Sequence, residues 1–191
     1  KKVRSYLDFY TLPLKVDMDL KYDPQEQQVN FDSKVFLSLH KDFQESVELE
    51  GSWEPSKFDL TLKTDKIKTN TLSKIWPLIL PEVRSWIIKN ISEGTLQDFS
   101  MEMKFEEDPL TKEFSLKKLQ GELELDDVCV SYLGESHPLE KIDASIEFDS
   151  GKAHVKFKNA FIKDLNLSGT EVNLSGFKEK HVQGDLNLKL D

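Results

Sequence analysis

Apolar and polar residues alternate with a period of two along most of this chain. Leu12, Leu14, Val16, Met18, Leu20 and Tyr22 are interleaved with Pro13, Lys15, Asp17, Asp19 and Lys21. Val29, Phe31, Val35, Leu37 and Leu39 continue the pattern, as do Val47, Leu49, Gly51 and Trp53, and then Phe58, Leu60 and Leu62. Successive side chains of a strand point to opposite faces, so this pattern reads as strands with one apolar and one polar face. Asp23-Pro24, Glu54-Pro55, Asp108-Pro109, His137-Pro138 and Ser150-Gly151 punctuate it as turns. A strand every eight to twelve residues or so is the rhythm of an all-β sandwich, barrel or extended sheet.

The period changes once. Leu72, Ile75, Trp76 and Ile79 have helical spacing, with Thr71 placed as an N-cap. Pro81 interrupts this helix and can open a second, which carries Val83, Trp86, Ile87 and Ile91 and ends at Gly94. Alternation then resumes through Phe99, Met101, Met103 and Phe105. It runs on through Leu119, Leu123 and Leu125, then Val128, Val130 and Tyr132, and later Ile142, Ala144, Ile146, Phe148, Ala153, Val155 and Phe157. Leu165, Leu167, Val172 and Leu174 follow, and Leu186, Leu188 and Leu190 close the chain. The expected architecture is mainly β: an extended, curved antiparallel sheet, as a U-shaped groove or partly closed barrel, with one helical hairpin. Residues 1–191 form one segment, with strands over 1–70, the hairpin over 71–94 and strands over 95–191. Lys1 in place of a start Met, and a strand pattern that persists to the last residues, read as a piece of a longer protein.

One-sided strands must cover their apolar face with a second sheet, with themselves on closure, with helices, or with a ligand. Leaving it bare costs about 1.5–3 kcal/mol per large side chain. A self-sealed core and a lipid-holding groove predict the same alternation, so periodicity leaves both open.

Side chains that could do chemistry are few. The formal net charge is -9, with acids and bases interleaved along the strands, which argues against a nucleic-acid surface. His40, His137, His154 and His181 show no metal-ligand spacing, and Cys129 reads as a small strand residue between Val128 and Val130. Glu106-Glu107-Asp108 and Asp126-Asp127 fit solvated strand ends better than catalytic carboxylates or a calcium site. No nucleophile elbow or phosphate-cradling loop is present, so no catalytic residue, metal or cofactor is expected. No run of eighteen apolar residues occurs.

One stretch carries a resemblance. Trp76-Pro77, Arg84, Trp86, Asn90-Ile91 and Gly94 stand in an order and spacing that resembles a recurrent segment of AsmA-like bacterial envelope proteins of the YhdP type. Gly121-Glu122-Leu123, Val128 to Tyr132, Pro138-Leu139 and Gly169 resemble the looser β repeat that follows it. The resemblance implies a periplasmic segment of an inner-membrane-anchored Gram-negative protein. It implies a long U-shaped sheet whose apolar groove carries phospholipid between inner and outer membrane. It offers no catalytic residues. Arg84 packed on a ring or paired with a local acid, and Trp76 and Trp86 pinning helices to the sheet, are the plainer alternatives to headgroup-binding and gating roles.

The groove-facing candidates, taken from alternation, are Leu14, Val16, Met18, Leu20, Phe31, Val35, Leu37, Phe99, Met101, Met103, Leu123, Leu125, Ile146, Phe148, Val155 and Phe157. The expected function is non-enzymatic binding or conduction of acyl chains; the alternative is a structural or adhesion-type β module with a sealed core. Phospholipid is the expected partner, and unpaired sheet edges invite edge-to-edge self-association.

Overall fold

A computed structural model describes residues 14–40, 43–71, 85, 88–131, 137–176 and 183–187. These residues form one large antiparallel open sheet of 12 strands that does not close into a barrel. In chain order they are β1 (Leu14–Asp23), β2 (Gln28–His40), β3 (Phe43–Glu54), β4 (Lys57–Lys68), β5 (Ile91–Ser92), β6 (Thr95–Glu107), β7 (Phe114–Val130), β8 (Leu139–Asp149), β9 (Lys152–Ile162), β10 (Leu165–Asn166), β11 (Glu171–Ser175) and β12 (Gln183–Asn187). The main path runs β1-β2-β3-β4-β6-β7-β8-β9-β11-β12, with β5 paired to β7 and β10 to β9. Each long strand thus pairs with the next long strand along the chain, β4 meeting β6 across residues 69–94. The Asp23-Pro24, Glu54-Pro55, Asp108-Pro109 and Ser150-Gly151 sites are all turns between paired strands.

At the Asp108 turn, the Asp108 carboxylate accepts the backbone N–H groups of Leu110 at 2.8 Å and Thr111 at 3.0 Å. Those bonds satisfy donors the turn would otherwise leave to solvent, and they hold the Asp108 carboxyl below its ordinary pKa.

The expected helical hairpin lies mostly outside the described residues. Helical residues are seen at 69–71, 85 and 88–90. Trp76, Pro77, Arg84 and Trp86 lie outside the described residues. Two expectations at its end are corrected. Ile91 belongs to strand β5, opposite Val130, rather than to a helix stripe. Glu93 and Gly94, with φ of 60° and 71°, link β5 to β6, and the two strands lie in line along β7, Ile91 opposite Val130 and Thr95 opposite Asp126. A Cβ at Gly94 would also lie 2.5 Å from the Asp127 carbonyl oxygen, so glycine is required there twice over. Asn90 stays at the last helical position, its carbonyl accepting the Ser131 N–H at 2.8 Å.

Three neighbouring strands, β6, β7 and β8, each carry a displaced pairing. Asp98 in β6, Asp127 in β7 and Lys141 in β8 have φ of 47°, 52° and 51°. The register shifts between Gln97 and Ser100, between Leu125 and Val128, and between Glu140 and Asp143. These are β-bulges, and each extra residue resets the alternation. Apolar residues three apart, Leu96 and Phe99, Leu125 and Val128, Leu139 and Ile142, therefore remain on one face. A strict period of two would have turned half of them into solvent.

Candidate functional site

The paired registers place the groove-facing candidates on a single face of the sheet. One row crosses every strand of the main path: Met18, Ser33, Leu49, Leu62, Met101, Gly121, Phe148, Ala153, Leu174 and Gly184 stand opposite one another in succession. Leu20, Phe31, Gly51, Leu60, Met103 and Leu119 form the row beside it. Val16, Val35 and Val47 align on the other side, and Leu123, Ile146, Val155 and Val172 align further along the sheet. Ile67, Leu96, Leu125, Ala144 and Phe157 make a further row. Leu14 and Leu37 are paired in register at the end of β1 and β2.

Large and small residues alternate across these rows for a reason of volume. The ring of Phe148 occupies the space a side chain at Gly121 would need, 2.5 Å from the position of a Cβ. Phe31 does the same over Gly51, while Leu174 lies 3.2 Å from a Cβ at Gly184. A row of large residues alone would overfill the face.

The face is buried in its middle and bare at one side. Val47, Ile67, Leu96, Phe99, Met101 and Met103 are buried, with Leu60, Leu62, Phe105, Leu119 and Leu123 packed against them. A second cluster unites Val128, Ile142, Ala144, Phe157, Ala160 and Leu167. Of the groove-facing candidates, Phe99, Met101, Met103 and Phe157 are buried in these clusters. Toward β1 the cover runs out: Val16, Met18, Leu20 and Tyr22 are 49%, 56%, 65% and 64% exposed. The row at the turn end is aromatic, a feature missed because rings at the edge of an alternating pattern look like any apolar residue. It holds Tyr22, Val29, Trp53, Phe58, Phe105 and Leu116 in register. Phe58 stacks near Phe31 and Phe105, at centroid separations of 6.2 and 5.8 Å, while Trp53 and Leu116 stay exposed.

The opposite face is charged. Asp17, Lys34, Glu48, Lys63, Ser100, Glu122, Glu147, His154, Asn173 and Asp185 form its equivalent row. The Lys34 ammonium donates to Glu48, raising the lysine pKa and lowering that of the carboxylate. Lys158 pairs with Glu124 at 2.6 Å and Lys104 with Asp59 at 3.1 Å. A concavity of about 640 Å³ on this side is bordered by Glu102, Glu122, Glu147, His154 and Asp185. The His154 ring nitrogen Nδ1 lies 2.8 Å from the Asn173 side-chain oxygen, and no nucleophile stands beside it among the described contacts. Among the described residues no group of three or more His, Cys, Asp or Glu side chains is placed to hold a metal.

One carboxylate sits on the wrong face. Glu45 stands opposite Leu37 and is 1% exposed; its Oε1 accepts the Lys68 N–H at 2.8 Å, while Oε2 has no partner among the described residues. Its alternation with Val47 and Leu49 is the sequence signal that sets it apart from Glu48 and Glu50.

No family model, no curated protein and no solved structure matches this chain.

Proposed function

We propose that this chain binds phospholipid acyl chains along the apolar face of its open sheet, holding them by burial and without bond-making. In this reading it serves as a periplasmic segment of an AsmA-like envelope protein anchored in the inner membrane, and lipid passes along the face between the two membranes. The observation that carries the proposal is the run of exposed Val16, Met18, Leu20 and Tyr22 on an otherwise continuous apolar face. At about 1.5–3 kcal/mol per large side chain, four uncovered residues forgo several kcal/mol that a hydrocarbon partner would recover. The ring row at the turn end adds amphipathic Tyr22 and Trp53, side chains suited to a boundary between hydrocarbon and water. The resemblance of residues 75–95 to the YhdP-type segment supports the same reading.

The test is native mass spectrometry of the protein purified from a Gram-negative host, followed by lipid binding to Trp53→Asp. Trp53 is exposed, so the variant should melt like the parent while bound phospholipid falls. A carboxylate on the face would have to shed water or bring it into contact with acyl chains. A protein that emerges lipid-free and takes up no phospholipid defeats the proposal. It would favour a structural or adhesion-type module, a reading supported by the sealed centre of the face, where Met103 is 1% exposed.

A further inference from the structure

Among the described residues β1 ends the main path, and its outer edge carries Lys15 and Lys21 but no bulge, proline or inward charge. The strand runs ten residues, Leu14–Asp23, and pairs with β2 without a register shift. It contains no proline, no positive φ and no charge on its apolar side. Proteins ordinarily blunt an edge of this length with a bulge, a proline or an inward charge. The other end of the main path, β12, is described over only Gln183–Asn187 and includes Gly184.

From this edge we infer that β1 pairs antiparallel with β1 of a second copy of the chain, about a two-fold axis through Asp19. Parity leaves few registers to consider. An antiparallel pair joins apolar residues to apolar residues only if an even residue faces an even one, so the axis must pass through a residue and not between two. Charge then selects among them. An axis through Met18 sets Lys15 against Lys21 and Asp17 against Asp19, each twice, all like charges. An axis through Leu20 sets Asp17 against Asp23 and Asp19 against Lys21, so that repulsion and attraction cancel. An axis through Asp17 pairs Lys15 with Asp19 but shortens the contact and sets Asp17 on itself. The axis through Asp19 sets Lys15 against Asp23 and Lys21 against Asp17, each twice, and Val16 against Tyr22 and Met18 against Leu20. Its single unfavourable contact is Asp19 facing its own copy. Opposite charges across a pair stabilise it and like charges oppose it, so this register leads.

A two-fold axis normal to the sheet leaves both copies facing the same way. The apolar faces therefore join into one wall, and the bare Val16, Met18, Leu20 and Tyr22 come to lie at its centre instead of its margin. The contact is isologous and closes on itself, which yields a dimer and not a fibre.

The experiment uses the full chain with Cys129→Ser as background, since Cys129 is the lone cysteine. Light scattering should report a dimer. Asp19→Cys should form an intermolecular disulfide under mild oxidation, because facing Cα atoms in an antiparallel pair lie about 4.5–5.5 Å apart, within disulfide reach. Asp185→Cys on β12 should not. Lys21→Asp should weaken the dimer about tenfold by turning two attractions into repulsions, and Asp17→Lys with Lys21→Asp should restore it. Thermal melts of each variant confirm that exposed substitutions leave the fold intact. A strict monomer at the highest soluble concentration overturns the inference. So does a dimer that cross-links through Asp185→Cys and not Asp19→Cys, or one that the charge reversal fails to disturb.

Discussion

A methyl group added at Gly121 tests the alternation of large and small residues across the apolar face. Gly121 in β7 stands opposite Met101 on one side and Phe148 on the other. A Cβ there would come within 2.5 Å of the Phe148 ring and also within 2.5 Å of the Ser100 carbonyl oxygen. The ring can rotate, but the carbonyl belongs to a paired strand and can retreat only if β6 moves. Overpacking of this kind costs about 1–3 kcal/mol, and the backbone obstruction places Gly121→Ala near the upper end. Against that, alanine in a strand recovers about 0.5–1 kcal/mol of the entropy that glycine loses. The net expectation is a loss of about 2 kcal/mol. With a urea dependence of about 2 kcal/mol per molar, the unfolding midpoint should fall by about 1 M. Gly151→Ala is the control: its nearest foreign atom is the Asp149 carboxylate at 3.6 Å and its φ is not in the left-handed region, so it should gain about 0.4–1 kcal/mol. Adding Phe148→Ala to Gly121→Ala should cost about 1 kcal/mol less than the sum of the two changes, because the ring contact is shared. A Gly121→Ala variant as stable as the parent would refute the reasoning, since no ring or carbonyl could then occupy that space.

Met103→Ala should destabilise by about 2–5 kcal/mol in denaturant titration, while Leu110→Ser, at a turn residue 91% exposed, should stay within about 0.5 kcal/mol. Asp108 is held below its ordinary pKa, so its contribution to stability is complete above about pH 4 and fades as pH falls through the lowered value. Asp108→Asn should remove that part of the acid-side slope, lowering stability above about pH 4 and leaving it little changed at the acid end, in pH-dependent melts. Lys141 has a positive φ and an exposed side chain; Lys141→Gly should be neutral or stabilising and Lys141→Val should lose more than about 1 kcal/mol by thermal unfolding. Lys34→Met removes an ion pair whose partners are both about two-fifths exposed, and a double-mutant cycle with Glu48→Gln should find a coupling below about 1 kcal/mol.

Alternation and turn chemistry by themselves determined that this chain is a meander of one-sided strands. Leu14 to Tyr22 and Phe99 to Phe105 could satisfy their side chains in no other regular structure, and Pro24, Pro55, Pro109 and Gly151 mark the turns. Because a strand has only two faces, that pattern also determined which residues share a face: Met18, Met101, Phe148 and Val155 could be grouped before any pairing was known. Tertiary structure decided the rest. The bulges at Asp98, Asp127 and Lys141 were invisible because positive φ in a non-glycine residue is set by pairing with neighbours, not by local preference. Glu45 shares the parity of Val47 and Leu49, but only the packed sheet shows that it is buried. Above all, alternation says that a face is apolar but not how much of it is covered. Burial depends on what packs from other strands, so Met103 is sealed while Leu20, with the same local pattern, lies open at the edge of the sheet.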